Sequence, residues 1–201
     1  MGPVKFNGAV MDNTSIFRAD PSPEVDAAWD LLSAEGFEII TVSSDAISLS
    51  GHDPRLGVKA PASWFVPDSG RPRSVHHQSS TDENGAQYIA QIDVFHQIHC
   101  LDQLRRQINY DYYYGDKWGD NPPPQHMSHV KHCIHILLQN LMCHADVDIV
   151  PHNWVHYPDL HQKGRPYAEP LADFSIVKQC RDFEELLSWA KQNVVPDLAH
   201  K

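Results

Sequence analysis

Two near-copies of one short motif constrain this chain more than any other feature of its sequence. The segment 96–101 reads HQIHCL, and the segment 129–134 reads HVKHCI. On a helix, residues three and four positions apart share a face, with Cβ atoms about 5–6 Å apart. Each copy would therefore present two imidazoles and one thiol on the same face. Two such faces turned toward each other would form a cage of four histidines.

The four motif histidines are better explained by a metal than by core packing. A single histidine on an apolar helix face is usually a hydrogen-bonded core residue. Four buried imidazoles without a cation, however, leave many donors and acceptors to satisfy. The whole chain is also rich in histidine, with 14 among 201 residues. The predicted metal ligands are His96, His99, His129 and His132.

The ligand set indicates which metal to expect. The sequence has neither the C-x-x-C spacing typical of structural zinc sites nor the H-E-x-x-H motif of zinc peptidases. A nonheme iron triad would need a carboxylate ligand, whereas an all-imidazole set suits copper, and also zinc or iron. We therefore predict one copper ion or a close pair of copper ions.

Helical periodicity surrounds both copies of the motif. Asp93 is the predicted N-cap of a helix that continues to about Asn109, and a second helix is predicted from Gln125 to about Cys143. The proline run 122–124 excludes one continuous helix. A connection of about fifteen residues lets the second helix return antiparallel to the first. The predicted fold is mainly α with a few short β-strands, and it is built around these two histidine-bearing helices.

The remaining predicted elements are short. Ser22 is expected to cap a helix over 23–35, and Asp182 to cap the last helix. Short strands are predicted at 37–42, 86–92 and 147–150, and loops over 51–74 and most of 146–178. Trp64 and Phe65 are expected to pin the first of these loops to the body.

The chain length fits one domain with a real core. Residues 1–20 are predicted to be an irregular N-terminal arm, and residues 21–201 a single metal-binding catalytic domain. The charge excludes one class of partner, because 16 Lys and Arg against 26 Asp and Glu give a net charge of −10, which repels nucleic acid. No apolar run approaches the roughly 18 residues of a membrane span, so the chain as given is expected to be soluble.

Two roles are open to the motif cysteines, since a thiolate ligand and a disulfide would use the same positions. Two helices related by an approximate twofold axis bring equivalent residues together, which favours a disulfide between Cys100 and Cys133. Cys143 and Cys180 would then pair by elimination. Free core thiols are the other alternative. The even number of cysteines is compatible with an oxidising compartment.

Around these motifs the sequence resembles the UstYa-like proteins of fungal secondary-metabolite clusters, which are defined by two H-x-x-H-C motifs. The similarity extends over residues 84–190. It includes YI at 88–89, DVFHQIHCLDQLR at 93–105, the second motif at 129–133, LMCHAD at 141–146 and QCRDF at 179–183. Residues 23–29 and 56–57 also fit the usual N-terminal pattern of that family.

The resemblance implies an oxidative tailoring enzyme, copper-dependent where the metal is known, with O2 or peroxide as the oxidant. Its substrate would be a small molecule or a peptide that is cyclised, hydroxylated, desaturated or halogenated. Members usually carry a membrane anchor that places the domain in the secretory lumen, so we expect a luminal or secreted protein although this sequence shows no anchor. Both homo-oligomers and hetero-oligomers are compatible with the resemblance.

Two alternative functions fit the same histidines. In a copper halogenase, halide would take the open metal position, and the ligand residues would be identical. In a noncatalytic metal-binding partner subunit, the protein would only support a catalyst. Copper-dependent oxygen consumption separates an enzyme from such a subunit.

Several residues near the motifs carry two interpretations. Asp102 and Asp146 are candidates for carboxylates that support the metal ligands, although a structural role explains Asp146 as well. His126 and His135 are either extra metal ligands or surface residues, and we favour the surface for both. His144 stands where the family pattern has Asn.

The aromatic residues raise the same ambiguity. Those of segment 110–118 would either line a pocket beside the first histidine helix or, as we favour, pack onto the body: Tyr110, Tyr112, Tyr113, Tyr114 and Trp118. His152 and Trp154 can be interpreted in the same two ways.

Overall fold

The structure is a computed structural model that describes residues 2–9, 14–61, 87–162 and 164–194. Its helices are α1 (Pro23–Leu32), α2 (Ser44–Leu49), α3 (Asp93–Ile108), α4 (Asp116–Trp118), α5 (Pro124–His144) and α6 (Phe183–Asn193). Its strands are β1 (Gly2–Lys5), β2 (Ile39–Val42), β3 (Tyr88–Gln91), β4 (His152–Gln162), β5 (Arg165–Ala172) and β6 (Val177–Cys180). The predicted class, mainly helical with a few short strands, is confirmed. Trp64 and Phe65 lie outside the described residues.

Helix α1 begins where the sequence predicts. The Ser22 side chain accepts a hydrogen bond from the Val25 amide at 3.3 Å, which satisfies one of the free amides of the first turn. The helix ends earlier than predicted because Ala34 adopts a left-handed conformation with a φ of 58°. Val25 and Trp29 form its buried face.

The segments that carry the two motifs are helical over nearly the predicted ranges. Helix α3 contains the first motif and α5 the second. The prediction of Asp93 as N-cap is wrong, because Ile92 holds the cap position and Asp93 is the first helical residue. An acidic residue in the first turn is stabilised by the helix dipole without capping. No helix in the described part of the chain is long and apolar enough to cross a membrane.

The described residues also form three two-stranded antiparallel sheets, in which β1 pairs with β6, β2 with β3, and β4 with β5. The strands predicted near 37–42 and 86–92 correspond to β2 and β3. Residues 1–20 are not entirely irregular, because β1 pairs with β6 from the other end of the chain. Such a long-range pairing leaves no local pattern in a four-residue segment.

The region predicted as loop after α5 is mostly a hairpin, and the predicted strand at 147–150 is wrong. Strand β4 starts at His152 and pairs with β5, in a register that places Trp154 opposite Pro170. Proline argues against a central strand, but both strands of a two-stranded sheet are edges that tolerate it. The prolines in these segments therefore concealed the hairpin from sequence reasoning.

A small apolar core fixes the start of α3 against α6. Ala34, Phe95, Leu187 and Ala190 are buried together, and Phe95 meets Phe183 edge to face with ring centroids 6.1 Å apart. Asp182 caps α6 as predicted, with its carboxylate accepting from the Glu185 amide at 3.0 Å. One face of α3 is thereby held in place just before the first motif.

A buried carboxylate holds the part of α3 that follows the motif. Asp102 is only 4% exposed, and its two oxygens accept hydrogen bonds from Arg105 and Arg106, each at 2.6 Å. Arg105 donates in turn to Asp26 of α1 at 2.7 Å and to the Tyr113 hydroxyl at 2.6 Å. Asp102 therefore joins α1, α3 and the segment after α3 into one network.

Replacement of Asp102 tests this network. Asp102→Ala leaves two guanidinium groups without their shared acceptor in a mostly buried position, so we expect a loss of about 3 kcal/mol in the free energy of unfolding. Urea unfolding measures it. Asp53→Ala, which removes an exposed pair with Arg55, is the control and should cost less than about 1 kcal/mol. Equal losses in both variants would contradict the assigned role of Asp102.

Candidate metal centre

The four motif histidines lie together in the structure and are called here the histidine cluster. Within each helix the two rings stack, with centroids 6.5 Å apart for His96 and His99 and 6.5 Å apart for His129 and His132. Between the helices, the ring of His96 lies 5.8 Å from that of His132, and the ring of His99 lies 5.7 Å from that of His129. Each imidazole therefore has one neighbour on its own helix and one on the other.

The donor set of the histidine cluster fits copper. Two imidazoles that bind one ion at about 2.0–2.1 Å have ring centroids about 5 Å apart, slightly less than the spacings between the helices. Within the described ranges no group of three or more His, Cys, Asp or Glu side chains is already arranged to hold a metal ion. Movements of about 1 Å through side-chain rotation would close the distances. Metal ligation by these residues stays a prediction.

The environment favours the neutral form of at least one of these imidazoles. Burial lowers the pKa of His129, and the neighbouring His99, His132, His126 and His96 lower that pKa further. Only a neutral imidazole can bind a metal ion, so this environment removes a competing proton.

The motif cysteines lie at the contact between α3 and α5. Cys100 and Cys133 are completely buried, and the Cys100 sulfur is 3.8 Å from His96 Nε2. Burial and a hydrogen bond with the Cys100 thiol raise the pKa of Cys133. Both cysteines are free thiols in the structure. The two side chains are thus in contact, while the disulfide between them stays a prediction.

The second predicted disulfide also stays a prediction. Cys143 is exposed near the end of α5, Cys180 is partly buried at the end of β6, and both are free thiols. Between them in sequence, Asp146 forms an ion pair with Lys178 and accepts a hydrogen bond from the Asp148 amide at 2.9 Å. These contacts join the end of α5 to β6, which is a structural role for Asp146.

The structure adds Glu35, which sequence reasoning missed. Its carboxylate lies 3.9 Å from His99 Nδ1. The two residues belong to segments far apart in sequence, and no motif marks Glu35. It also borders a cavity of about 230 Å³ that reaches His99. The other lining residues are Asp30, Ser33, Asp102, Gln103 and Arg106.

The histidines outside the motifs occupy different environments. His135 is exposed, as predicted. His126 is partly buried rather than fully at the surface, because its ring packs 4.7 Å from Tyr114 and 4.6 Å from Trp118 and its Nε2 is 2.8 Å from the Gln107 side-chain oxygen. The aromatic residues of segment 110–118 were the sequence signal for this packing. Tyr114 and Trp118 of that segment stack on each other, whereas Tyr112 and, in β4, Trp154 are exposed.

Thiol reactivity checks the cysteine geometry. In the native, reduced protein at pH 8, iodoacetamide should modify Cys143 readily and leave Cys100 and Cys133 unmodified, because burial excludes the reagent and a raised pKa keeps the Cys133 thiol protonated. Mass spectrometry of digests taken over time measures the order of labelling. Rapid labelling of Cys133 in the folded protein would contradict the structure.

The lowered pKa of His129 predicts a pH effect on the metal-free protein. The unfolded chain takes up a proton at His129 near pH 6.5, before the folded protein does, so stability should fall as the pH drops from about 7.5 to 5.5. His129→Gln should reduce this loss, whereas His144→Gln, at an exposed site, should not. Urea unfolding at both pH values measures the difference, and an unchanged loss in His129→Gln would refute the prediction.

Comparison with known proteins agrees with the motif. The family described as Mycotoxin biosynthesis protein UstYa matches residues 2–193. The UstYa family oxidase aprY of Aspergillus flavus is 32% identical over 187 residues, covering 90% of this chain and 48% of that protein. The UstYa family oxidase phomYc of Diaporthe leptostromiformis is 27% identical over 185 residues, covering 90% and 60%. Oxidase ustYa of Aspergillus flavus is 29% identical over 116 residues, covering 58% and 47%.

The chain spans about half the length of the curated relatives it matches, with 48% of aprY, 60% of phomYc and 47% of ustYa covered. No solved structure matches it. The family match nevertheless covers both motifs, all six helices and all six strands of the described residues. This chain belongs to the UstYa family.

Proposed function

We propose that this protein is a copper-dependent oxidative tailoring enzyme of secondary-metabolite biosynthesis. The histidine cluster is the single observation that carries the proposal, because it brings together four imidazoles from two helices, with ring centroids 5.8 Å and 5.7 Å apart between the helices. The names of the relatives support an oxidase. Bound copper, as one ion or a close pair, would supply one-electron chemistry for removing hydrogen from a C–H bond, with O2 or peroxide as the oxidant.

The order of the ring pairs supports antiparallel helices at the proposed centre. The earlier histidine of α3, His96, lies beside the later histidine of α5, His132, and the remaining two also pair in reverse order. In this arrangement each helix supplies one ligand to each end of the cluster. The same order suits either one shared ion or two ions held by facing pairs.

The residues beside His99 would position the substrate. The cavity that reaches His99 is lined by polar side chains of α1, the turn after it and α3. Asp102 and Arg106 satisfy each other there, while the carboxylate of Glu35 lies 3.9 Å from His99. A small polar part of a peptide or another small molecule would bind here, with its reacting carbon held near the histidine cluster. Cyclisation, hydroxylation and desaturation all begin from that arrangement. We further propose a luminal or secreted location.

Substitution of one histidine on each helix tests the proposal. His99→Ala and His132→Ala should each lose most of the bound copper and all copper-dependent turnover, because each removes one imidazole of the set. Copper is counted by titration against a competing chelator, and turnover by oxygen consumption with a candidate substrate. Folding of both variants is checked by urea unfolding.

His135→Ala is the matched control, since His135 lies on α5 one turn beyond His132 and is exposed as His132 is, but does not belong to the histidine cluster. It should keep the copper affinity of the unmodified protein. Stoichiometric copper in both His99→Ala and His132→Ala would refute the four-histidine site. Tight copper binding by the unmodified protein without turnover of any candidate substrate would instead identify a noncatalytic partner subunit.

A further inference from the structure

The aromatic segment after α3 forms a continuous series of rings. Tyr112 is 58% exposed, and its ring centroid lies 4.9 Å from that of Tyr113. Tyr113 is 6.2 Å from Tyr114, which is stacked on Trp118 at 4.9 Å and lies 4.7 Å from His126. These five residues are called here the aromatic ladder. It runs from solvent at Tyr112 to α5 at His126.

The inner end of the aromatic ladder adjoins the histidine cluster. His126 lies on α5, one helical turn before His129, and is close enough to lower the pKa of His129. From the other side, the Tyr114 hydroxyl donates to the Gln103 side chain at 3.5 Å, and Gln103 lines the cavity that reaches His99. Rings in near contact therefore run from solvent to His126, which lies one helical turn from His129.

Tyr113 has the surroundings of a tyrosine that can give up an electron. A phenol is oxidised easily only when its proton leaves together with the electron, so it needs a proton acceptor in place. The Tyr113 hydroxyl donates to the Asp26 carboxylate at 2.6 Å and accepts from Arg105 at 2.6 Å. Asp26 can take the proton over a single hydrogen bond, so that loss of the electron leaves a neutral tyrosyl radical rather than a charged phenol.

We propose that the aromatic ladder delivers electrons to the histidine cluster when copper there is oxidised in the absence of substrate, with Tyr113 as the electron donor. The inference rests on the proposed function. One electron passes from Tyr113 through Tyr114 and His126 to the oxidised copper, which is reduced by one electron. The O–H bond of Tyr113 breaks, its proton moves to Asp26, and a neutral tyrosyl radical remains.

The cycle closes at the exposed end of the ladder. A small one-electron reductant of the thiol or ascorbate class donates an electron through Tyr112, and Asp26 returns the proton to Tyr113. The route would remove oxidising equivalents that otherwise attack the imidazoles of the histidine cluster. It thus protects the proposed catalyst between substrate molecules.

The first test needs no copper. Photogenerated ruthenium(III) tris-bipyridine oxidises the full-length, metal-free protein, and transient absorption with electron paramagnetic resonance records the tyrosyl radical. Tyr113→Phe should remove most of the long-lived signal. Tyr167→Phe is the matched control, because the Tyr167 hydroxyl also donates to a carboxylate, that of Glu169 at 2.7 Å, but lies in the hairpin outside the aromatic ladder. Equal signals from both variants would overturn the assignment of Tyr113.

The second test uses the copper-loaded protein with peroxide and no substrate. Mass spectrometry should show oxidation of the cluster histidines several-fold faster in Tyr113→Phe and in Tyr114→Leu than in the unmodified protein or Tyr167→Phe. Tyr114→Leu removes the ring that joins Tyr113 to His126 and leaves Tyr113 and Asp26 in place, so it separates electron transfer from loss of the ion network. If the variants bind copper normally and their histidines are oxidised no faster, electron transfer along the aromatic ladder is refuted, while the proposed function is not affected. If copper does not bind, the proposed function fails, and the photochemical result then decides the role of Tyr113.

Discussion

The contact between Cys100 and Cys133 is the constraint on which the site depends. Both side chains are completely buried and small, so they let α3 and α5 approach closely at this point. Each cysteine directly follows the second histidine of its motif, and the contact therefore sets the distance between the imidazoles of the two helices. A larger side chain at either position would separate the helices and the histidine rings. The thiol pair and the histidine cluster are thus parts of one structural unit.

Helix α3 is held on two further sides, which fixes the direction of its histidine face. Phe95 packs in the apolar core with α6 before the motif, and Asp102 binds Arg105 and Arg106 after it. The ionic network is a weak source of net stability, because burial of charges opposes their attraction. The network nevertheless fixes the orientation of α3, because rotation of this helix would leave the Asp102 carboxylate or its arginines unpaired. Its main contribution to the site is therefore to orient the histidines of α3.

The sequence predicts the histidine cluster well because its information is local. The spacing of His96 and His99 places two side chains on one face whatever the rest of the fold does, and the second motif repeats that information. Glu35 has no such signal, since its proximity to His99 depends on how the turn after α1 packs on α3. The same reason explains why β1 escaped prediction, as its partner β6 lies near the other end of the chain.

The predictions that failed in the second half of the chain did so for a different reason. Prolines such as Pro170 argue against strands in general, and the rule fails for β4 and β5 because a two-stranded sheet consists of edges only. His126 was assigned to the surface, yet its ring packs against those of Tyr114 and Trp118 and is partly buried. The local sequence pattern shows which environment a residue prefers by itself. How far it is buried depends on the residues that pack against it in the fold.

The electrostatics of the site explain why a cation would be accepted there. The chain carries a net charge of −10, and three carboxylates, those of Asp30, Glu35 and Asp102, border the cavity beside His99 against the single guanidinium of Arg106. Burial, together with repulsion from the neighbouring imidazoles, lowers the pKa of His129. A metal ion would therefore meet a neutral His129 beside a cavity that has more carboxylates than guanidinium groups. The main cost would then be the small inward movement of the rings, and the rigid cysteine contact limits that movement to the side chains.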